Sequence, residues 1–558
     1  MGKDCEPQRS CERMQKYFML YFIPAWYLKN EWKEDEQFWY SRRTKTETDD
    51  TVKQIQLFQR NAVCEYEILL LSYAPNFRHF LHRQSVFRAP YWSVFDAVQE
   101  VRRKKQAMLS FHNLNWPRNI EFVYTPFSVI AMLQGELYAN IEFGEYGNPI
   151  QVDLYRNGEI TRKNIYDDRG FISCTEVYEN GKKAYEQYLT EKGIWKLCRF
   201  ADGHIAVNPR SNRYLIRTLR GEEDIPFLKN AYASMEEVIE EVLTAWLRTT
   251  REEDIFCAAA QGQHLPLLDR LLADRKTIFS VFQDRLSLED EKSMRALSHG
   301  DCIVTDSEDN LELLLRTGGI EKNVKVNIPP YDTRLDPGIS QQLPVQKILF
   351  PLDHLAQKDL EEAVKYLAVY LEENKDARVC LFTRRADFGH EDTILRQVSG
   401  ILEQNGYPSG WARKVNRNKF EFLLDEEDQV PVLFMVEQCV DELSVNKCVR
   451  QQRVLVDLAN PPDLFLQISC VGMGIPQILR SVTQYMRPGK NGRVCRDISR
   501  LGEDLRYYLE NLSNWNTAMI QSFELGKTHT TQYLVEQWEE VIGSVGNSKC
   551  ITAGNYRF

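Results

Sequence analysis

The chain has 558 residues, of which 43% are apolar and 11% aromatic, enough to fill more than one hydrophobic core. Its formal net charge of −10 argues against a nucleic-acid partner, because such partners demand a basic face. The 13 cysteines include no CxxC pair, which argues against a zinc site or a disulfide framework and favours reduced thiols in a cytoplasmic protein.

The first predicted elements alternate between strand and helix. The apolar segment YFMLYFIPAWY (Tyr17–Tyr27) contains a predicted strand, Met19–Ile23, and no small-residue cleavage site follows it, so we interpret it as a buried strand and not as a signal peptide. A helix is predicted over Asp49–Asn61 and a strand over Glu65–Tyr73. This alternation is typical of a doubly wound α/β layer, and we assign residues 17–116 to the first part of a Rossmann-like domain.

A basic cluster, Arg102–Lys105, falls within a segment, Tyr91–Leu109, whose pattern predicts a helix. The cluster is either a solvated helix face or a contact with anionic lipid. No apolar run approaches the roughly 20 residues that cross a bilayer. Any membrane contact is therefore expected to be peripheral, at the inner face of the plasma membrane.

Between residues 117 and 221 the helical period disappears, and an inserted antiparallel β-domain is predicted. Strand-like segments are separated by Asn157-Gly158, Asn180-Gly181 and Asp202-Gly203, dipeptides that supply the positive φ angles of tight hairpin turns. The paired acids Asp167-Asp168 precede Arg169-Gly170, and we interpret them as part of a structural turn and not as an acid/base pair.

Helix and strand alternation returns afterwards. Residues 222–338 are assigned to the second part of the first Rossmann-like domain, and Tyr331–Gln346, rich in Pro, Gly and polar residues, is predicted to be a linker. Residues 339–525 form a second Rossmann-like domain, and residues 526–558 a C-terminal helix and tail that cross back to the first. The predicted α/β fold is the two-domain GT-B architecture, whose ligands bind between the domains at the carboxyl ends of the strands.

Particular motifs resemble a known family. YFIPAWY and DDTVKQIQLFQ near the N-terminus resemble the opening of the first accessory secretory protein of the accessory Sec system, a family of Gram-positive bacteria. YDDRGFIS (Tyr166–Ser173) resembles the inserted β-domain of the glycosyltransferases that modify serine-rich repeat adhesins. The family is similar to those enzymes, so the second Rossmann-like domain can be compared with them position by position.

The donor-site chemistry of such transferases is missing from the matching positions. Their EAMxxGLP turn matches SCVGMGIP here, in which Gly472 and Gly474 still allow tight backbone packing, but Ser469 and Pro461 stand where two glutamates contact the donor sugar and ribose. Their GRLxxxK motif, which clamps the diphosphate, matches LDHLAQK, with Asp353 in place of the arginine and Lys358 retained. We interpret these positions as vestigial, with no catalytic residue.

A cofactor is not expected either. FIPAWYLKN has no glycines with which backbone could approach a phosphate, and the chain has no Walker motif, no GxSxG elbow and no HExxH motif. Several aromatic residues near the N-terminus either fill the first core or form an interaction surface; they include Trp26, Tyr27, Trp32 and Trp39.

The resemblance implies a non-enzymatic component of accessory Sec protein export. It implies a complex with the second and third accessory secretory proteins and with the accessory Sec motor ATPase, which targets a glycosylated serine-rich repeat adhesin for export. Two alternatives stay open: an active glycosyltransferase that modifies Ser/Thr-rich protein, and a free-standing glycan-binding protein.

Overall fold

The computed structural model describes residues 18–28, 30–34, 38, 40, 49–218, 221–317, 319–320, 323–414 and 431–546. The strands in these residues are β1 (Leu20–Ile23), β2 (Tyr66–Leu70), β3 (Tyr91–Ser93), β4 (Ile120–Tyr124), β5 (Val129–Leu133), β6 (Glu136–Phe143), β7 (Pro149–Arg156), β8 (Glu159–Asp167), β9 (Phe171–Glu179), β10 (Lys182–Leu189), β11 (Trp195–Phe200), β12 (Ile205–Val207), β13 (Tyr214–Thr218), β14 (Gly221–Ile225), β15 (Ala231–Tyr232), β16 (Ile255–Ala259), β17 (Lys276–Val281), β18 (Cys302–Thr305), β19 (Val324–Asn327), β20 (Gln346–Pro351), β21 (Ala377–Thr383), β22 (Phe434–Gln438), β23 (Gln452–Asp457), β24 (Gln477–Leu479) and β25 (Gly492–Val494).

The α-helices follow the strands in alternation in both halves of the chain. Within the described ranges they are α1 (Asp50–Asn61), α2 (Phe77–Arg83), α3 (Val94–Val98), α4 (Met235–Leu247), α5 (Leu265–Leu271), α6 (Glu291–Leu297), α7 (Glu308–Arg316), α8 (Gln357–Glu373), α9 (His390–Gln404), α10 (Glu442–Val449), α11 (Leu464–Met473), α12 (Leu501–Leu509), α13 (Leu512–Gly526) and α14 (Thr531–Gly546).

The first sheet is parallel and is assembled from two separate parts of the chain. Its strand order is β19, β18, β17, β16, β1, β2, β3, and Leu20 of β1 lies between Tyr66 and Ile255. Every residue of β1 is buried, as expected for a central strand with helices on both faces of its sheet. Because β4–β15 lie between β3 and β16 in sequence, the antiparallel domain is inserted into this Rossmann-like unit.

The inserted sheet is an antiparallel meander with the order β15, β12, β11, β10, β9, β8, β7, β6, β5, β4. The β7–β8 hairpin turns at Asn157 and Gly158, with φ angles of 52° and 79°, so both central residues have the positive φ that the sequence predicts. The sheet extends to Tyr232 in β15, past the predicted end of the insertion at residue 221.

The second parallel sheet has the order β22, β21, β20, β23, β24, β25. After α13, the chain returns to the first sheet: the Trp538 ring of α14 packs edge-on against Phe58 with centroids 5.6 Å apart. The Lys276 Nζ donates to the Gly546 carbonyl at 2.7 Å, so the end of α14 is tied to the start of β17. The tail at 547–558 lies outside the described residues.

The helix predicted over Tyr91–Leu109 is wrong. Strand β3 and the five-residue helix α3 occupy its first part, and residues 101–110 are neither helix nor strand. The buried Gln99 side chain ends the helix by donating to the Ser173 and Leu189 carbonyls, at 2.8 and 2.6 Å, and Glu100 has a φ of 52°. Arg102–Lys105 therefore lie on an extended connection and form no helix face.

Replacing Glu67 in β2 by glutamine is expected to stabilise the protein selectively at high pH. Burial raises the pKa of Glu67 to about 7, from 4.5. The protonated Glu67 carboxyl therefore makes its full contribution to stability below pH 4.5. That contribution is lost as the pH rises through 7 and the carboxyl ionises. Thermal unfolding should show that Glu67→Gln and wild type are equally stable at pH 4.5. At pH 8 the free energy of unfolding of the variant should be higher by on the order of 2 kcal/mol. An equal gain at both pH values would show that charge is not the cause.

Candidate functional site

The two parallel sheets meet at the carboxyl ends of their strands, at a boundary that we call the cleft. Gln484, which follows β24, donates through its Nε2 to the Asp306 carbonyl after β18 at 3.0 Å. Its Oε1 accepts from Asn327 Nδ2 at the end of β19, at 2.8 Å. Lys53 of α1 and Glu442 of α10 form an ion pair at 2.6 Å across the same boundary. This is where a GT-B protein would hold a ligand.

On the first-domain side, the chain's own carboxylate occupies the N-terminus of α1. Asp49 Oδ1 accepts from the backbone N–H groups of Thr51 and Val52 at 3.0 and 3.2 Å and from Trp26 Nε1 at 2.9 Å. A helix N-terminus at this place in a Rossmann-like domain is where phosphate binds in nucleotide sites. Here Asp49 already accepts the hydrogen bonds of these N–H groups, so the helix N-terminus offers no open anion site.

The adjacent residue, Asp50, is bound by an arginine that is 235 residues away in the sequence. Arg285 donates to the two Asp50 oxygens at 2.7 and 2.9 Å, and the carboxyl group also accepts from Ser280 Oγ at 2.6 Å. Burial and the neighbouring Asp50 raise the pKa of Asp49 to about 6, against the opposing effect of Arg285. The charge of Arg285 is thus neutralised by protein carboxylates.

On the second-domain side, Asp353 organises the loop after β21. Its carboxylate accepts from Thr383 Oγ1 at 2.5 Å and from the Arg384 backbone N–H at 2.7 Å. Lys358, in the first turn of α8, is exposed. Asp353, which the sequence analysis matched to a phosphate-binding arginine, therefore has a local structural role.

An arginine is nevertheless present in this half of the cleft. Arg384 donates to Asp463 Oδ2 at 2.9 Å, and its guanidinium lies 5.4 Å from the centroid of the Phe465 ring. Asp463 in turn caps α11 by accepting from the Leu466 N–H at 3.0 Å. Lys53 also approaches the Phe465 ring, at 5.7 Å, so this buried aromatic side chain lies between two cations.

The predicted small-residue turn, SCVGMGIP, is largely helical, and that prediction is wrong. Ser469 and Gly472 lie within α11, Ser469 Oγ donates to the Phe465 carbonyl one turn earlier at 2.8 Å, and only Gly474 adopts the left-handed conformation, with φ 71°. Pro461 is exposed and precedes the helix. Neither Ser469 nor Pro461 presents a group that could replace a catalytic carboxylate.

Gly472 in α11 and Gly474 directly after it permit close packing. A Cβ on Gly472 would lie 2.7 Å from the Arg334 carbonyl oxygen in the connection between the domains. A Cβ on Gly474 would lie 2.6 Å from Met519 Cγ and 2.8 Å from Phe523 Cζ, both on α13. Each glycine therefore serves packing against another part of the chain.

The N-terminal aromatic residues belong mainly to the first domain's core. Trp26 and Trp32 are 5% and 8% exposed, so the structure places them inside and not on an interaction surface. The Tyr27 hydroxyl hydrogen-bonds to Nδ1 of the buried His264 at 2.8 Å, and burial lowers the pKa of this histidine to about 4. Trp39 lies outside the described residues.

The sequence comparison did not single out the pairs that fill the cleft. Arg285 with Asp50, Arg384 with Asp463 and Lys53 with Glu442 are each far apart in sequence, so no local spacing indicates them. Asp49 could have been found, because an aspartate directly before an amphipathic helix is a common N-cap. In the ranges that the structure describes, no three His, Cys, Asp or Glu side chains group in a way that could hold a metal ion.

Comparison with known proteins identifies the family. The family model described as accessory Sec system protein Asp-one, the first accessory secretory protein, matches residues 19–544. The chain belongs to this family. A relative of that name from Streptococcus gordonii is 31% identical over 531 residues, which cover 94% of this chain and 98% of the relative.

Solved structures agree with this membership. In a crystal structure of accessory secretory proteins 1, 2 and 3 in Streptococcus pneumoniae, the matching chain is 29% identical with a TM-score of 0.75, covering 95% of this chain and 100% of that one. The pneumococcal O-GlcNAc transferase GtfA, crystallised with UDP and GlcNAc, is 11% identical with a TM-score of 0.68 over 95% of this chain and all of that one. At this identity GtfA shows the fold alone, which confirms the GT-B-like prediction. No helix in the described residues is both long and apolar enough to cross a membrane.

Proposed function

We propose that this member of the accessory Sec family is non-enzymatic and uses its GT-B-like fold as a scaffold. The observation that carries the proposal is the state of the cleft: the α1 N-terminus is capped by Asp49, and Arg384 is paired with Asp463. A transferase needs such donors and cations free to stabilise the charge that develops on a leaving diphosphate. In this chain they are already bound by its own carboxylates.

The proposed role is in the export of glycosylated serine-rich repeat adhesins, at the cytoplasmic face of the membrane. The partners in this proposal are the second and third accessory secretory proteins, the accessory Sec motor ATPase and the adhesin. Support comes from relatives: one was crystallised with accessory secretory proteins 2 and 3, and another, 29% identical, in the Glycosylation Associate Protein (Gap123) complex from Streptococcus agalactiae.

Co-expression tests this role. The chain, tagged and co-expressed with the second and third accessory secretory proteins, should co-purify with both in one peak on size-exclusion chromatography. A variant that reverses the charge at the exposed Arg500 serves as a control for charge-dependent aggregation. Arg500 directly precedes α12 and pairs with Glu503 on its surface. A chain that elutes alone in the presence of both partners contradicts the proposal.

Replacing Asp353 by arginine, which restores the transferase residue, is expected not to restore activity. The substitution removes the acceptor for Arg384 N–H and for the buried Thr383 hydroxyl, and leaving such a group unpaired costs about 1–3 kcal/mol. Asp353→Arg should therefore show a lower melting temperature and no release of UDP from UDP-N-acetylglucosamine with a Ser/Thr-rich acceptor peptide.

A matched control separates the loop effect from the charge change. The side chain of Asp387, in the same loop, accepts only from the exposed Arg385 among the described contacts, at 3.2 and 3.4 Å, so Asp387→Arg should leave the melting temperature nearly unchanged. Sustained UDP release by wild type or by Asp353→Arg would instead support the glycosyltransferase alternative.

A further inference from the structure

A small surface cavity of about 70 Å³ lies where helix α1, the connection between the domains and helix α14 meet. It is lined by one side of α1 between Lys53 and Asn61, by Pro330, Asp332 and Arg334 of the connection, and by the first turn of α14. Its volume is that of about two water molecules in the liquid, at roughly 30 Å³ each. The cavity can therefore hold a small ion but not a ring-sized ligand.

Two arginines that line the cavity have no anionic partner. Arg60 lies in the last turn of α1 and Arg334 in the connection; both are exposed, and neither side chain forms a hydrogen bond or an ion pair within the described ranges. In the cleft, by contrast, Arg285 and Arg384 are each bound by a carboxylate. In a chain with a net charge of −10, two unpaired guanidinium groups at one small cavity indicate a place for an external anion.

The remaining charges leave the cavity positive. Lys53 also lines it, but its charge is balanced by Glu442, at 2.6 Å. Asp332 is the one acidic residue that lines the cavity in the part of the chain that the structure describes. Arg60 and Arg334 together therefore exceed Asp332 by one positive charge. Because the planar donors of arginine match the oxygens of phosphate, this balance favours a small oxyanion as the ligand.

Asp332 determines which oxyanion fits. Its Oδ2 accepts from Thr531 Oγ1 at 2.5 Å, and its other oxygen accepts no hydrogen bond from the described residues. A carboxylate repels an anion, unless that anion carries a proton that it can donate to the carboxylate. Inorganic phosphate keeps such a proton at neutral pH, whereas sulfate has none. The carboxylate therefore selects phosphate over sulfate.

We infer that this cavity binds a phosphate group that retains a proton. Arg60 and Arg334 donate to the phosphate oxygens, and the phosphate O–H donates to Asp332. The ligand thereby joins α1 to the connection between the domains, whose Thr333 N–H donates to the His529 carbonyl just before α14 at 2.9 Å. The source of the group is either inorganic phosphate or a small phosphate ester. An ester loses its last proton near pH 6, so the free ion is the better match at neutral pH.

Titration calorimetry on the full chain, at neutral pH and constant ionic strength, tests this inference. The titrants are sodium phosphate, sodium sulfate and AMP. Phosphate should bind at least about tenfold more tightly than sulfate. Arg60→Gln and Arg334→Gln should each weaken phosphate binding about tenfold, because each removes a charge-assisted hydrogen bond. Asp332→Asn should bring the affinities for phosphate and sulfate within a fewfold of each other. Weaker binding of AMP would identify the free ion as the ligand, and equal binding a phosphate ester.

Lys358→Gln is the matched control. It also removes one exposed cation, at the position matched by sequence to the diphosphate-binding lysine of the transferases, and it should leave phosphate binding unchanged. Because Arg60 and Arg334 are exposed, their variants should fold, which circular dichroism verifies. Equal binding of phosphate and sulfate to the wild type, no phosphate binding at millimolar concentration, or an equal loss in Lys358→Gln and Arg334→Gln would overturn the inference.

Discussion

Replacing Arg169 by methionine is expected to lower the free energy of unfolding by about 3–5 kcal/mol, because it leaves the buried Asp167 and the partly buried Asp96 without the arginine that they share. Arg169 joins the inserted sheet to the first domain: it donates to both oxygens of Asp96 at 2.8 and 2.7 Å and to both oxygens of Asp167 at 2.7 Å. Burial alone would raise the pKa of Asp96, but the Arg169 guanidinium outweighs it and holds that pKa below its usual range.

Thermal unfolding monitored by circular dichroism measures this loss. Arg500→Met is the control, because Arg500 pairs with Glu503 at 2.8 Å on the surface, where both side chains are more than half exposed. Exposed pairs contribute about 0–1 kcal/mol, so the control should be close to wild type. Adding Asp167→Asn to Arg169→Met should recover part of the loss, because it removes a buried charge that would keep only the longer contact with Arg78, at 3.4 Å. If Arg169→Met and Arg500→Met lost similar amounts of stability, the result would contradict a buried ionic link.

This cluster shows what the sequence can and cannot predict. The turn at Asp167-Asp168 was predictable, because Gly170, with φ 83°, lies two residues after Asp168 and glycine is a common turn residue. The residues that bind this turn were not predictable from the sequence. Arg78 and Asp96 come from the first domain, and only the fold brings them to the turn, where Arg78 Nε donates to Asp168. Local chemistry is visible in sequence, but pairing over long sequence separations is not.

The same distinction explains the errors. The hairpin turns and strand β1 follow from dipeptides and apolar runs, which act locally. The helix predicted over Tyr91–Leu109 failed because Gln99 bonds to the inserted sheet, a tertiary contact that overrides a weak helical pattern. The turn expected at SCVGMGIP is mostly the end of helix α11, but the close packing expected of its glycines is present. In Gly472 the important property is the missing Cβ.

Replacing Gly472 by alanine is therefore expected to destabilise the protein by about 1–3 kcal/mol, although alanine favours helices. A Cβ at this position would meet Thr333 Oγ1 and would lie 2.7 Å from the Arg334 carbonyl oxygen. That carbonyl belongs to the connection between the domains, whose Asp336 N–H donates to the Gly472 carbonyl at 3.0 Å. Because the backbone itself is in the way, no side-chain rotation can relieve the contact.

Gly400 provides a control of opposite sign. It lies inside α9, and a Cβ there would meet nothing within 4 Å, so Gly400→Ala should stabilise the protein by about 0.5–1 kcal/mol. In thermal unfolding, the melting temperatures of Gly472→Ala and Gly400→Ala should shift in opposite directions from that of the wild type. If Gly472→Ala also stabilised the protein, the glycine would not be needed for packing. The expected loss would mean that the stretch most similar to a donor-site turn is retained because it fixes the connection between the two domains.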